Sequence, residues 1–219
     1  LPSVPLITND PMFSIWSPYN NLTDGTTRHW TDIEKPIDGL VRVDGTVYRF
    51  MGKQTKYVLG DYLLPMTIDE PWSAKATFTK PAAYGWFYES YNDSSWEEMP
   101  GAFGTSEDQN YINIKTRWAG ENTEIYVRRY MNLTADDLKK DLCIKYSHDD
   151  TFYLYINGKL VISTGYTWNL NQVHRLTEQE NGHLKEGQNV IAVRCQNKTG
   201  GAYLDLGAHE NIQPSPPTQ

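Results

Sequence analysis

The side chains of this chain best suited to bond-making chemistry are five histidines, two cysteines and a few adjacent acid pairs. Their spacing decides what they can do. A nucleophilic triad needs Ser or Cys on a tight turn, backed by His and a carboxylate. There is no G-x-S-x-G, and His29, His148, His174, His183 and His209 are scattered, with no H-E-x-x-H pair among them. The sequence predicts surface or capping roles for all five. Glycoside cleavage needs two carboxylates about 5–10 Å apart across one bond. Glu97-Glu98 and Asp149-Asp150 are sequence neighbours, and neighbours on a strand point to opposite faces, so both pairs read as solvated turn acids. No catalytic residue is expected.

Binding chemistry is better represented. Sugars offer C–H faces that stack on Trp or Tyr, with amides or Arg fixing the hydroxyls. Tyr166, Trp168 and Asn169 follow the hairpin "TFYLYINGKLVIST" in a loop, the place where a rigid sheet presents such a platform; the alternative for such large aromatics is to plug the end of the sandwich or to pack on a neighbouring domain. Trp118 and Arg129 are expected to join them. Arg129 shares a strand face with Ile125, Val127 and Met131, so it must either find a partner or face a groove. Hard cations want several carboxylate and carbonyl oxygens. "YNDSSW" and "SHDD" offer Asp93, Asp149 and Asp150 for a structural Ca²⁺, although neither has the D-x-D-x-D-G alternation and an Asx turn accounts for Asp93 equally well. No cofactor is expected beyond that ion. Cys143 lies opposite the apolar face Leu142/Ile144/Tyr146, whereas Cys195 shares a face with Ile191 and Val193, which argues against pairing.

The elements that must position these groups are strands. "PWSAKATFTK" alternates strictly, placing Trp72, Ala74, Ala76 and Phe78 on one face. "TEIYVRRYMNL", "DLCIKYS", "TFYLYI", "KLVIST", "GQNVIAVRCQN" and "GAYLDLG" follow, and "TADDLKK" reads as one helical turn capped by Thr134. Asn157-Gly158 and Asp44-Gly45 are hairpin turns. Strands every ~8–12 residues with almost no helix predict an all-β antiparallel sandwich. The 13% aromatic content, with 15 Tyr and 7 Trp, suits that class.

A composition break near residue 70 divides the chain. Residues 1–70 are Pro-punctuated extended segments with one hairpin, residues 71–211 form the regular sandwich, and residues 212–219 read as a Pro-rich linker leading to later domains. A formal charge of −7 without a basic cluster argues against nucleic acid. No apolar run reaches the roughly 20 residues of a membrane span, so membrane insertion is not expected. The chain opens on Leu1 rather than Met, which predicts a processed product. Four Asn-x-Ser/Thr sequons begin at Asn21, Asn92, Asn132 and Asn197 and matter only in a eukaryotic secretory route.

Two resemblances add to this reading. Over residues 71–210, "WFYESYNDSSWEEMPGAFGT", "IYVRRYMNL", "DDTFYLYINGKLV" and "LKEGQNVIAVRCQN" resemble the galactose-binding-like jelly roll, in particular the accessory domain preceding the catalytic domains of glycoside hydrolase family two. Over residues 4–52, "NDPMFSIWS", "LTDGTTRHW" and "RVDGTVYRFMG" are similar to the N-terminal region of bacterial and fungal glutaminase A-like proteins. Together they imply a jelly-roll sandwich with an N-terminal extended segment packed on it. They also imply a non-catalytic front end of a secreted or periplasmic multidomain hydrolase, whose partners are later domains of the same chain and, in an alternative reading, a glycan.

Overall fold

In a computed structural model, residues 3–44, 46–52, 58–105, 112–118 and 120–212 are described, apart from the side chains of residues 46 and 47. The chain divides into two compact units, Leu1–Lys56 and Tyr57–Gln219. Among the described residues, no helix is long and apolar enough to cross a membrane.

The first unit is two antiparallel hairpins. β1 (Val4–Asp10) pairs with β2 (Phe13–Ser17), and β3 (Gly39–Val43) pairs with β4 (Thr46–Met51). Between them, Arg28 forms ion pairs with Asp32 at 3.0 Å and Glu34 at 3.2 Å, cross-bracing a connection that has little core of its own. Asp44 takes a positive φ of 48°, as the hairpin turn requires. Gly45 of that turn lies outside the described residues, as does the expected linker from residue 213 onward.

The second unit is a sandwich of two sheets. β5 (Leu59–Leu64) comes first, and the inner-sheet order is β13 (Lys159–Ser163), β12 (Thr151–Ile156), β15 (Gly187–Asn197), β10 (Thr123–Leu133), β6 (Trp72–Thr77) and β7 (Glu97–Gly101). The facing sheet runs β14 (Asn169–Arg175), β11 (Leu142–Asp149), β16 (Tyr203–Asn211), β8 (Phe103–Gly104) and β9 (Thr116–Arg117), with β5 also bonded to β16. Pairing is antiparallel except between the two-residue strands β8 and β9. By its hydrogen bonds β5 belongs to the sandwich, so the composition break near residue 70 falls inside this unit.

Period-2 alternation is what closes the two sheets. On β10, Ile125, Val127, Met131 and Leu133 enter the inter-sheet core; on β15, Ile191, Val193 and Cys195; on β12, Phe152, Leu154 and Ile156. Leu142, Ile144, Leu204, Leu206 and Ala208 meet them from the facing sheet. On β6, Trp72, Ala74 and Ala76 are buried as the alternation requires, but Phe78 lies beyond the end of the strand and is exposed.

The opposite face of β10, β15 and β12 carries a second, aromatic cluster of Trp86, Trp96, Tyr126, Val190 and Ala192, with Phe87, Tyr91 and Tyr155 packed against it. The turns follow local chemistry. Asn157 and Gly158 have φ of 47° and 86°, joining β12 to β13. Thr134 accepts a hydrogen bond from the Asp137 amide ahead of a 3₁₀ turn, Asp137–Lys139.

Candidate functional site

Between β13 and β14 the chain leaves the sheets, and there Tyr166 is 59% and Trp168 65% exposed. Their loop is held from several sides. The Tyr166 hydroxyl shares a 2.8 Å hydrogen bond with Thr199 Oγ1, and the Lys198 ammonium stands 5.1 Å from the Tyr166 ring centroid. Asp150 Oδ2 accepts the Lys198 amide at 2.7 Å, which fixes the loop that carries Lys198 and Thr199.

Asn169 opens β14. Its side-chain amide donates to His148 Nε2 at 3.2 Å, and His148 Nδ1 donates to the Asp150 carbonyl at 2.7 Å. The imidazole lies parallel to Tyr146 and Phe152, 5.7 and 5.0 Å away. Burial lowers it to about 4, against the opposing effect of the Asp150 carbonyl and charge, so it is neutral at physiological pH with its proton on Nδ1. His148 and His209 are therefore buried, not surface or capping, groups. In "SHDD" the signal was present: His148 follows the core strand "CIKYS" in period, and only its stacking partners were unforeseeable.

The other two expected platform residues sit elsewhere. Trp118 is 1% exposed and belongs to the inter-sheet core, with its indole N–H bonded to Thr123 Oγ1 at 2.8 Å. Arg129 is 3% exposed, its guanidinium 3.9 Å from the Trp72 ring centroid, and it donates to the carbonyls of Pro65 and Leu206. Burial pushes Arg129 down to about 9 while Asp205 opposes the shift, so it stays charged at neutral pH. Asp205 is raised by its own burial, against hydrogen bonds from Thr67 and the Trp72 indole. Neither Trp118 nor Arg129 has a face left for a ligand.

Arg128, one residue earlier and on the opposite face, was not foreseen as an anchor. It is fully buried, pairs with Asp93 at 2.8 Å, and donates to the carbonyls of Trp86 and Tyr88. Tyr130 also donates to Asp93. The Asp93 carboxylate is thus occupied by protein donors, and Asp150 by backbone amides. Among the described residues no three His, Cys, Asp or Glu side chains gather where a metal could sit.

Cys143 and Cys195 are both free and buried, and burial raises the Cys143 thiol to about 11. Neither is a poised nucleophile. What the arrangement offers chemically is two exposed rings in one loop, of which Tyr166 is tethered through its hydroxyl and carries the Lys198 ammonium over its face.

Residues 1–58 match the family model described as Domain of unknown function (DUF4964), a little over a quarter of the chain. No curated protein matches. Among solved structures, the chain is similar to Bacteroides uniformis beta-glucuronidase 2, with 18% identity and a TM-score of 0.46 over 63% of this chain and 17% of that one. It is also similar to a beta-glucuronidase from an uncultured Clostridium sp., with 12% identity and a TM-score of 0.44 over 73% and 31%. A glycoside hydrolase family 2 member from Bacteroides cellulosilyticus gives 15% identity and a TM-score of 0.43 over 62% and 20%. The chain spans between 17% and 31% of the length of these enzymes. At such identities and TM-scores the likeness carries nothing about activity, and the sandwich assignment rests on the strand pairing of the chain itself.

Proposed function

We propose that the chain is a non-catalytic module of a larger extracytoplasmic hydrolase, in which the sandwich supplies surface rather than chemistry. The observation that carries this reading is where its buried charges go. Arg128 is held by Asp93 and two carbonyls, and Arg129 by two carbonyls and the Trp72 ring, so the groups most able to polarise a substrate are locked into the framework. The resemblance of residues 4–52 to glutaminase A-like proteins supports a parent of that kind. The test is turnover by the isolated chain. Glutamine and aryl glycosides should be hydrolysed no faster than in a blank, and turnover abolished by changing one carboxylate would overturn the reading.

A second role for the same module is glycan contact through Tyr166 and Trp168, and their exposure favours it. A ring as open as that of Trp168 buries little apolar surface in the fold, while sugar C–H faces recover that contact. In affinity electrophoresis across a panel of polysaccharides, at least one gel should retard the chain, and Trp168→Ala should remove the retardation with the melting temperature unchanged.

A further inference from the structure

We propose that the connection 65–71, between β5 and β6, is a strap across β16 that a proton taken up by His209 releases. The strap touches β16 at three alternate positions. The Asp205 carboxylate accepts the Thr67 amide at 3.1 Å and the Thr67 hydroxyl as well. Met66 is 2% exposed and lies over Gly207, where a Cβ would come within 2.9 Å of its side chain and 2.6 Å of the Leu64 carbonyl. Only glycine lets the chain pass so close. Past a turn in which the Asp69 and Glu70 amides donate to the Met66 carbonyl, Asp69 arrives beside His209.

This third contact is of a different kind. His209 is 4% exposed, and its Nε2 has no hydrogen-bond partner among the described residues although Asp69 Oδ2 stands 3.4 Å away. The bond between the ring and the Gly60 carbonyl therefore runs from Nδ1. A neutral imidazole then turns the bare lone pair of Nε2 towards a carboxylate, and that oxygen already accepts the Met66 amide at 2.8 Å. At this end the strap is seated by burial alone.

The surroundings of the ring disfavour a charge. Tyr62 of β5 stands nearly perpendicular to it, with centroids 6.5 Å apart, and gives its own hydroxyl to Glu70 at 2.9 Å. From β11, Lys145 repels an imidazolium, while Cys143, the residue paired with His209, is kept protonated by burial. Burial lowers His209 from its ordinary 6.5; Asp69 opposes that, Lys145 adds to it, and the Gly60 carbonyl opposes it. A seated strap thus holds the proton less well than a lifted one, whose imidazole meets water. The seated state is fully favoured above about 6.5 and loses ground as pH falls below it. Asp205 works in the opposite sense, because its burial raises it and the seated strap retains its proton.

Hydrogen exchange of the Met66 and Thr67 amides reads the strap, since each bonds a carboxylate only while it is seated. Followed by NMR on the full chain from pH 7 to 5 and corrected for intrinsic exchange, their opening should rise several-fold. The ceiling is the ~25-fold that a group of ordinary value 6.5, titrating only in the open state, allows. His209→Gln should level the rise. Asp69→Asn keeps an acceptor for the Met66 amide but removes the charge that favours an imidazolium in place, so it should steepen the rise. An opening that is flat, or that falls with acid, in the wild type would overturn the proposal. So would a rise that survives His209→Gln, or one matched by the amides of β10 and β15, which would mean that the strap lifts only when the whole sandwich unfolds. Should His209→Gln not fold, Asp69→Asn decides alone: a flattened rise would show that the carboxylate and not the ring takes the proton.

Discussion

Two groups of aromatic side chains sit on this sandwich under opposite regimes. On the outer face of β10, β15 and β12, Trp86 meets Trp96 at 6.3 Å and Tyr126 at 5.0 Å, and Phe87 stacks on Tyr155 at 4.4 Å. The segment carrying Trp86 and Trp96 folds back over the sheet because Arg128 reaches up through it, holding Asp93 and the carbonyls of Trp86 and Tyr88. At the end of the sandwich, Tyr166 and Trp168 have a tethered loop but no such cover. Rings of one residue type thus serve as filler where a buried cation pins a lid over them, and remain available where only the backbone is pinned. Local aromatic content does not distinguish the two cases; the anchor does.

The comparison can be broken most forcefully at the anchor. Arg128→Ala removes the centre of the lid and leaves Asp93 without its cation, and Trp86→Ala empties the cluster it closes. Each should cost about 3–5 kcal/mol in urea denaturation. A loss below about 1 kcal/mol for Arg128→Ala would show that the lid holds by apolar contact alone.

Next in size is a pH effect at the base of the open loop. Folded, His148 stays neutral down to about 4, whereas unfolded it takes up a proton near its ordinary value of 6.5. Between these values the unfolded state binds more protons, so stability rises with pH. The contribution is complete above about 6.5 and falls by about 3 kcal/mol as pH drops to about 4. His148→Gln should flatten most of that slope in denaturation curves taken from pH 7 to 4. The remainder is shared by His209, which burial also lowers, and by Glu124 and Glu180, which burial raises but their hydrogen bonds lower by more.

Trp72→Phe is a smaller perturbation. It removes the indole hydrogen bond to Asp205 and reduces the ring under Arg129, and a loss of about 1–3 kcal/mol is expected by the same denaturation. Trp168→Ala should be the smallest, within about 0.5 kcal/mol of wild type, since it deletes an exposed side chain.

How much of this was legible in the sequence follows the range of each interaction. The alternation of Trp72, Ala74 and Ala76 and the Asn157-Gly158 turn depend on residues within a few positions and could be read directly, as could a short helical turn after Thr134, although its N-cap is Asp136 and Thr134 instead accepts the Asp137 amide. The loop position of Tyr166 and Trp168 was legible too, but not their exposure, since a loop after a hairpin can equally pack its aromatics against the end of the sandwich. Period-2 alternation also implies that Arg128 and Arg129 point to opposite faces. It does not say that both faces are buried, because their partners are remote: Asp93 is 35 positions from Arg128, and Leu206 is 77 from Arg129. Trp118 misled for the same reason, since a core Trp and a platform Trp look alike until the facing sheet is in place. The pairing of β5 with β16 likewise spans nearly the whole unit and leaves no local trace.

The account stands or falls on separating shape from recognition in a single experiment: the melting temperatures of Trp86→Ala and Trp168→Ala, measured together with their retardation in a binding polysaccharide gel. It predicts that Trp86→Ala melts several degrees lower yet is retarded like the wild type while folded, and that Trp168→Ala melts with the wild type and migrates freely. A Trp168→Ala protein that loses several degrees while its retardation is unaltered would show that the exposed ring holds the fold together and recognises nothing.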